Sequence, residues 1–245
     1  MKKLVLIAAA VLLAFTAVSC SKKQDKKVTI GIVQQMDHNS LNVISDNIKS
    51  RLSELGYNES NSVILFKQGD NDMTTLSQIV EEYINAGADV VIPIATKAAN
   101  AALAAADSNI PVVFAACSDP VGSKLVQNMA EPEGYVTGTC HAIQVDKILN
   151  LARRINPELA KIGIIHTSGE TNAQSTVNQM TFYADSIGIH YVDGTIDDVS
   201  AIQETIKKMY DAGCTAIFVP NDNKLAARGN MAILSAACLE QHLPL

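Results

Sequence analysis

Short runs of β-branched and other apolar residues alternate along this chain with longer segments whose apolar positions recur at threes and fours. The first run, over 28–33, is nearly continuous in its apolar character, as a parallel strand buried on both faces requires. After a polar loop over 34–39, Leu41, Ile44, Ile48, Leu52 and Leu55 mark an amphipathic helix closed by Gly56. The same alternation predicts strands over 63–66, 90–94 and 112–115. The helices between them are carried by Leu76, Ile79, Val80, Tyr83 and Ile84, and by an alanine-rich stretch running from Thr96, its candidate cap, to Ala106. A strand over 135–139 then crosses towards the second half, and Ile148, Leu151, Ala152 and Ile155 carry a helix that Asn156-Pro157 ends. Strands over 162–165, 190–192 and 216–219 follow. Their helices run through Val177, Met180, Ala184 and Ile187, through Val199, Ile202, Ile206 and Met209, and over about 223–238.

The second half repeats the first. A displacement of 132 positions lays Gly31 on Gly163 and Gly56 on Gly188. Displacements of 126 and 133 lay Ala86-Gly87 on Ala212-Gly213, and Ile110-Pro111-Val112 on Leu243-Pro244-Leu245. Four matches in one order at nearly one spacing predict two similar lobes. Strand–helix alternation at this rhythm makes each an α/β, Rossmann-like lobe with a parallel sheet and right-handed crossovers. The expected division is an N-terminal lobe over 28–138 and a C-terminal lobe over 139–245, the latter incomplete because Leu243-Pro244-Leu245 opens a strand.

Composition changes the picture at the start of the chain. Lys2-Lys3, then an apolar run over 4–18, then Ala17-Val18-Ser19-Cys20 read as an export signal over 1–19. Cys20 there resembles the lipidated cysteine of a bacterial lipobox, and 20–27 reads as a polar tether. Without Lys2 and Lys3 the 19 basic residues fall to 17 against 25 acidic ones, and aromatic residues make up only 4%. That balance offers nothing to a nucleic-acid backbone. Cys117, Cys140, Cys214 and Cys238 lack metal-ligand spacing and lie in or beside apolar runs, so buried free thiols are expected ahead of disulfides.

In open parallel sheets, ligands sit beyond the carboxyl ends of the strands. The loops at those ends carry Gln34, Met36, Asp37, His38, Thr96, Ser118, Asp119, Ser168, Asn172, Asn221 and Asp222. Paired across a cleft between the lobes, they form the candidate binding set. Helices begin after several of these loops, so free N–H groups and the positive helix ends can receive a carboxylate. Asp119 and Asp222 can take an ammonium, which together suits a zwitterion, with Met36 against an apolar side chain. For Asn172 and Asp222 helix capping is the competing role, and for Asp119 a turn before Pro120. There is no G-x-G-x-x-G after a strand, no Walker loop, no H-E-x-x-H and no G-x-S-x-G, so no catalytic residue, cofactor or metal is assigned. Cys140-His141 are neighbours, but neighbours on a strand face opposite ways.

Several stretches carry a resemblance. They are Ile30-Gly31-Ile32-Val33-Gln34 with His38, Pro93-Ile94-Ala95-Thr96, Ser118-Asp119-Pro120-Val121-Gly122, Val136-Thr137-Gly138-Thr139, Glu170-Thr171-Asn172-Ala173 and Val219-Pro220-Asn221-Asp222-Asn223. In that order they resemble the substrate-binding proteins of ABC importers, of the type I periplasmic binding fold, and within them the tryptophan-binding lipoproteins. The resemblance implies an exported, lipid-anchored protein that captures a small solute, an aromatic amino acid such as tryptophan, by closing two lobes. It implies ABC permease subunits as partners and no covalent chemistry. Two alternatives stand beside it. One is a binding protein that feeds a sensor kinase; the other is an exported two-lobed enzyme using Cys117 or Cys140.

Overall fold

The computed structural model describes residues 26–106, 110–227 and 229–245. The export signal and Cys20 lie outside the described residues. Two parallel sheets are present, each flanked by helices. The first is built from β1 (Val28–Gln34), β2 (Ser62–Gln68), β3 (Val90–Ile94), β4 (Val112–Cys117) and β5 (Val136–Cys140) in the order β2-β1-β3-β4-β5. The second comprises β6 (Lys161–Thr167), β7 (His190–Ile196) and β8 (Ala216–Phe218) in the order β7-β6-β8. The helices are α1 (Asn39–Glu54), α2 (Met73–Asn85), α3 (Thr96–Ala105), α4 (Val145–Ile155), α5 (Thr171–Ser186), α6 (Ile202–Asp211) and α7 (Asn230–Glu240). Among the described residues, no helix is long and apolar enough to cross a membrane.

The repeat seen in the sequence is a repeat of hydrogen bonds. Asp89 N donates to Thr29 O at 2.8 Å, and Thr215 N donates to Lys161 O at 3.0 Å. Val91 N reaches Pro111 O at 2.9 Å, and Ile217 N reaches Pro244 O at 2.8 Å. Each second-lobe bond joins the residues that the displacements align with the first. The paired glycines serve one purpose. A Cβ on Gly31 would stand 2.5 Å from Tyr83 Cδ2, and one on Gly163 would stand 2.5 Å from Met209 Sδ. Both absences let a helix lie tightly on an inner strand of its sheet. Burial then fills both faces: Val33, Leu76, Tyr83, Val91 and Phe114 pack on one side of the first sheet, Ile30, Ile32 and Ile94 on the other. In the second sheet, Ile165, Ile206 and Ile217 pack on one face and Ile162, Ile164 and Met180 on the other.

Three elements differ from the sequence reading. The strand expected to cross towards the second half is the edge of the first sheet, pairing with β4 from Val112↔Val136 to Cys117↔Cys140. The helix expected over about 223–238 begins at Asn230, because Gly229 at φ +100° interrupts it and 223–226 forms only a turn. Thr96 is not the cap of α3: Ala95 is, with no side-chain cap bond. Ala95 has φ +75° and ψ 165°, a region nearly reserved for glycine that costs about 1–3 kcal/mol. It is held there by its N–H on Ala115 O at 2.9 Å, and it turns β3 into α3 without a loop.

Candidate functional site

A cavity of about 550 Å³ lies between the lobes at the carboxyl ends of the strands. Its first-lobe wall comes from the start of α1 (His38, Ser40, Leu41, Ile44), the β3–α3 turn (Ala95, Thr96), the end of β4 (Ala115, Ala116, Ser118) and the end of β5 (Thr139, Cys140, His141). The second lobe adds Asn172 from α5 and Asn221, Asp222, Asn223 and Ala226 from the turn after β8. The first turns of α1, α3 and α5 therefore meet at one space. Helix beginnings present unpaired N–H groups and a positive partial charge, which suits an anionic group.

The polar groups have defined hydrogen-bonding duties. Ser118 N and the Cys117 thiol both donate to Thr96 Oγ1 at 3.4 Å, so the Thr96 hydroxyl keeps its own proton to give. Ser118 Oγ accepts from Asn221 Nδ2 across the cleft, which leaves its proton in the same position. Asn172 is 5% exposed, and its Nδ2 donates to the Asn221 carbonyl. A carbonyl only accepts, so that bond fixes which end of the amide is which. The remaining atom, Asn172 Oδ1, is buried with no partner. An orphaned buried acceptor costs about 1–3 kcal/mol, and a ligand N–H would recover it. His38 Nδ1 accepts from Ser40 N at 3.3 Å, which places the ring proton on Nε2, 3.4 Å from Ala226 O of the other lobe.

Of the eleven residues singled out from the sequence, His38, Thr96, Ser118, Asn172, Asn221 and Asp222 line this cavity. The other five lie elsewhere. Gln34 is fully buried and donates to Met36 O and Asn42 Oδ1, both at 2.7 Å. Met36 packs on the apolar cluster of Ile30, Ile32, Leu41, Ile94 and Ala95. Asp37 is exposed and accepts from Asn42 Nδ2 at 2.8 Å. Ser168 donates to Asp197 at 2.8 Å. Asp119 caps its own turn through Gly122 N at 2.8 Å and accepts from Ser175 Oγ of the other lobe. Asp222, although in the wall, is fully buried and already accepts from Thr167 N (2.6 Å), Thr167 Oγ1 (2.8 Å) and Leu225 N (2.9 Å). Both aspartates expected to take an ammonium are thus engaged by the protein itself. Gln34 Oε1, away from the cavity, and Asn172 Oδ1, in its wall, are the buried acceptors left without a partner among the eleven.

The sequence reading missed Thr139, Cys140 and His141, which follow from the strand-end rule once β5 is placed in the first sheet. Cys140 is exposed in this wall, unlike the buried Cys117, Cys214 and Cys238, and all four are free thiols. Cys140 and His141 share the cavity wall because His141 lies past the strand end, where alternation no longer applies. Burial pushes the Cys117 thiol up and the Cys238 thiol up to about 11, opposite to the shift that activates a nucleophile. Among the described residues, no group of three or more His, Cys, Asp or Glu is placed to hold a metal ion.

A site between two parallel-sheet lobes, lined by helix beginnings and closed by cross-lobe bonds, has the form of a solute trap. The family model described as ABC transporter substrate binding protein matches residues 29–245. The chain belongs to that family. A tyrosine-binding protein of Clostridioides difficile (strain R20291) is 30% identical over 228 residues, which is 92% of this chain and 65% of that protein. This chain therefore spans a little under two thirds of that relative's length. Among solved structures, an ABC domain in complex with L-Trp from Streptococcus pneumonia aligns with a TM-score of 0.79 at 27% identity, covering 89% of this chain and 73% of that one. The ligand-free, open structure of a substrate-binding protein with adhesive properties from Clostridium difficile aligns with a TM-score of 0.65 at 29% identity, covering 89% and 72%. Both are type I periplasmic binding folds, as is this protein.

Proposed function

We propose that this substrate-binding protein captures an aromatic amino acid, tyrosine or tryptophan, in the interlobe cavity and delivers it to an ABC permease. The observation that carries the reading is the orphaned Asn172 Oδ1 on one wall opposite the donor hydroxyls of Thr96 and Ser118 on the other. One wall asks for an N–H donor and the other for an acceptor at a helix beginning, which an α-amino acid supplies together. Ala95, Ala115, Ala116 and Ala226, with Leu41 and Ile44, leave apolar room for a large side chain. The volume falls within the range of about 300–1,000 Å³ usual for small-molecule sites. The tyrosine-binding and L-Trp-bound relatives support the same class of ligand.

Capture proceeds by hinge closure, in which the lobes swing together once the ligand bridges them. Cys117 is buried with a raised thiol, which argues against the enzyme alternative that would use it. Export and lipid anchoring at Cys20 complete the proposal, holding the protein on the outer side of the membrane beside its permease. A thermal-shift panel of the twenty amino acids tests it. At a hundred times Kd a ligand adds about 2.7 kcal/mol, or about 5–10 °C for a protein of this size. A shift confined to aromatic amino acids is expected. A shift confined to some other solute removes the ligand assignment and leaves the carrier, and turnover of the bound solute overturns the reading.

A further inference from the structure

Beside the cavity, one cluster of charge is buried where the lobes meet. Glu170, at the start of α5, has a fully buried side chain, and the Lys97 side chain, in the first turn of α3, is 13% exposed. Lys97 Nζ lies 3.3 Å from Glu170 Oε1. The first-lobe half is a built socket. Lys97 Nζ also donates to Asn71 O at 3.1 Å and Asn71 Oδ1 at 2.9 Å, while Gln35 binds Asn71 Oδ1 and the Lys97 N–H at 2.8 and 3.0 Å. Glu170 enters that socket from the second lobe, taking Asn71 Nδ2 at 2.8 Å on one oxygen and Asn223 Nδ2 of its own lobe at 3.1 Å on the other.

We infer that Lys97 and Glu170 are positioning residues for ligand capture, forming a charge latch that permits closure only when the two charges are matched. When the lobes part, each charge regains water. When they close, each is desolvated, and the opposite charge of the other, beside neutral amide groups, compensates it. A matched buried pair is nearly neutral against an uncharged replacement, whereas one charge left alone is strongly unfavourable. Either partner alone therefore opposes closure. The latch is tied to the cavity by the chain itself, since Lys97 follows Thr96 and Glu170 precedes Asn172 by two residues. The closure step of the proposed capture is the one assumption borrowed here; the latch does not depend on which solute is held.

The test compares wild type, Lys97→Met, Glu170→Gln and the double variant, titrated with L-tyrosine and L-tryptophan and measured ligand-free by small-angle X-ray scattering. Each single variant is expected to bind about a hundredfold more weakly, chiefly through faster dissociation. The double variant recovers most of that loss, a reversal that simple damage to the fold does not produce. In scattering, the single variants are more extended than wild type and the double variant returns towards it. If both single variants bind as wild type does, or the losses multiply in the double variant, the latch is wrong. Should wild type bind neither amino acid, the ligand assignment fails, and scattering alone decides the latch: four equal radii of gyration overturn it.

Discussion

The two lobes share a backbone plan and differ at nearly every position that faces the cleft. The displacement of 132 that aligns Gly31 with Gly163 places His38 on Glu170 and Ser40 on Asn172, and the displacement of 126 that aligns Gly87 with Gly213 places Thr96 on Asp222 and Lys97 on Asn223. His38 and Glu170 are both N-caps at equivalent helices, yet His38 caps its helix and reaches Ala226, whereas Glu170 makes no cap bond and reaches Lys97. Lys97 and Asn223 hold equivalent places, and both donate to Glu170. The difference separates two kinds of information. What the lobes hold in common builds strands and helices; what they do not share makes one wall a donor and the other an acceptor.

The largest effect should come from breaking a second-lobe residue whose first-lobe counterpart contributes little to stability. Asp222→Ala strips three hydrogen bonds from buried donors and should cost about 3–5 kcal/mol in urea unfolding. Thr96→Ala, at the matching position, loses only two long bonds at 3.4 Å and should cost about 1 kcal/mol. Equal costs would mean that the two turns do the same work.

The shared glycines give the next contrast. Gly31→Ala drives a Cβ against the rigid ring of Tyr83, whose hydroxyl is itself tied to Ile32 O at 3.1 Å. Gly163→Ala meets the flexible Met209 side chain and the tip of Ile217. The first should cost about 3 kcal/mol and the second about 1 kcal/mol by the same measurement. If Gly163→Ala is the more damaging, helix packing in the two lobes is not alike.

These cases mark what could be read from the sequence. The repeat, the strands and the carboxyl-end loops were legible because apolar period and glycine spacing are written locally. Six of the eleven candidate residues line the cavity because the strand-end rule needs only the strands. For Asp119 and Asp222 the competing turn and cap roles are the ones seen, through Gly122 N and Leu225 N, while their bonds to Ser175 and Thr167 were not legible because they join residues more than fifty positions apart. Cys140 and His141 were missed because the sheet to which β5 belongs is a tertiary fact. The latch was invisible for the same reason: Lys97, Asn71 and Glu170 share no local pattern.

Affinity sharpens the comparison between Ser40 and Asn172. Asn172→Leu should weaken L-tyrosine about a hundredfold and leave the acid lacking the amino group nearly unaffected, as read by calorimetry. Ser40→Ala should change neither. The smallest effect is expected at His38→Ala, which removes a helix cap and one long cross-lobe bond and should lower stability by about 1 kcal/mol in thermal melting.

One titration addresses the central claim that the cavity is a trap for an amino acid held by its amino and carboxylate groups at once. L-tyrosine and L-tryptophan would each be titrated calorimetrically into the wild-type protein, beside the corresponding acid without its amino group. One-to-one binding of at least one amino acid, with its deaminated partner about a hundredfold weaker, is the predicted result. Equal binding of the two members of each pair would contradict it, as would no binding of either amino acid.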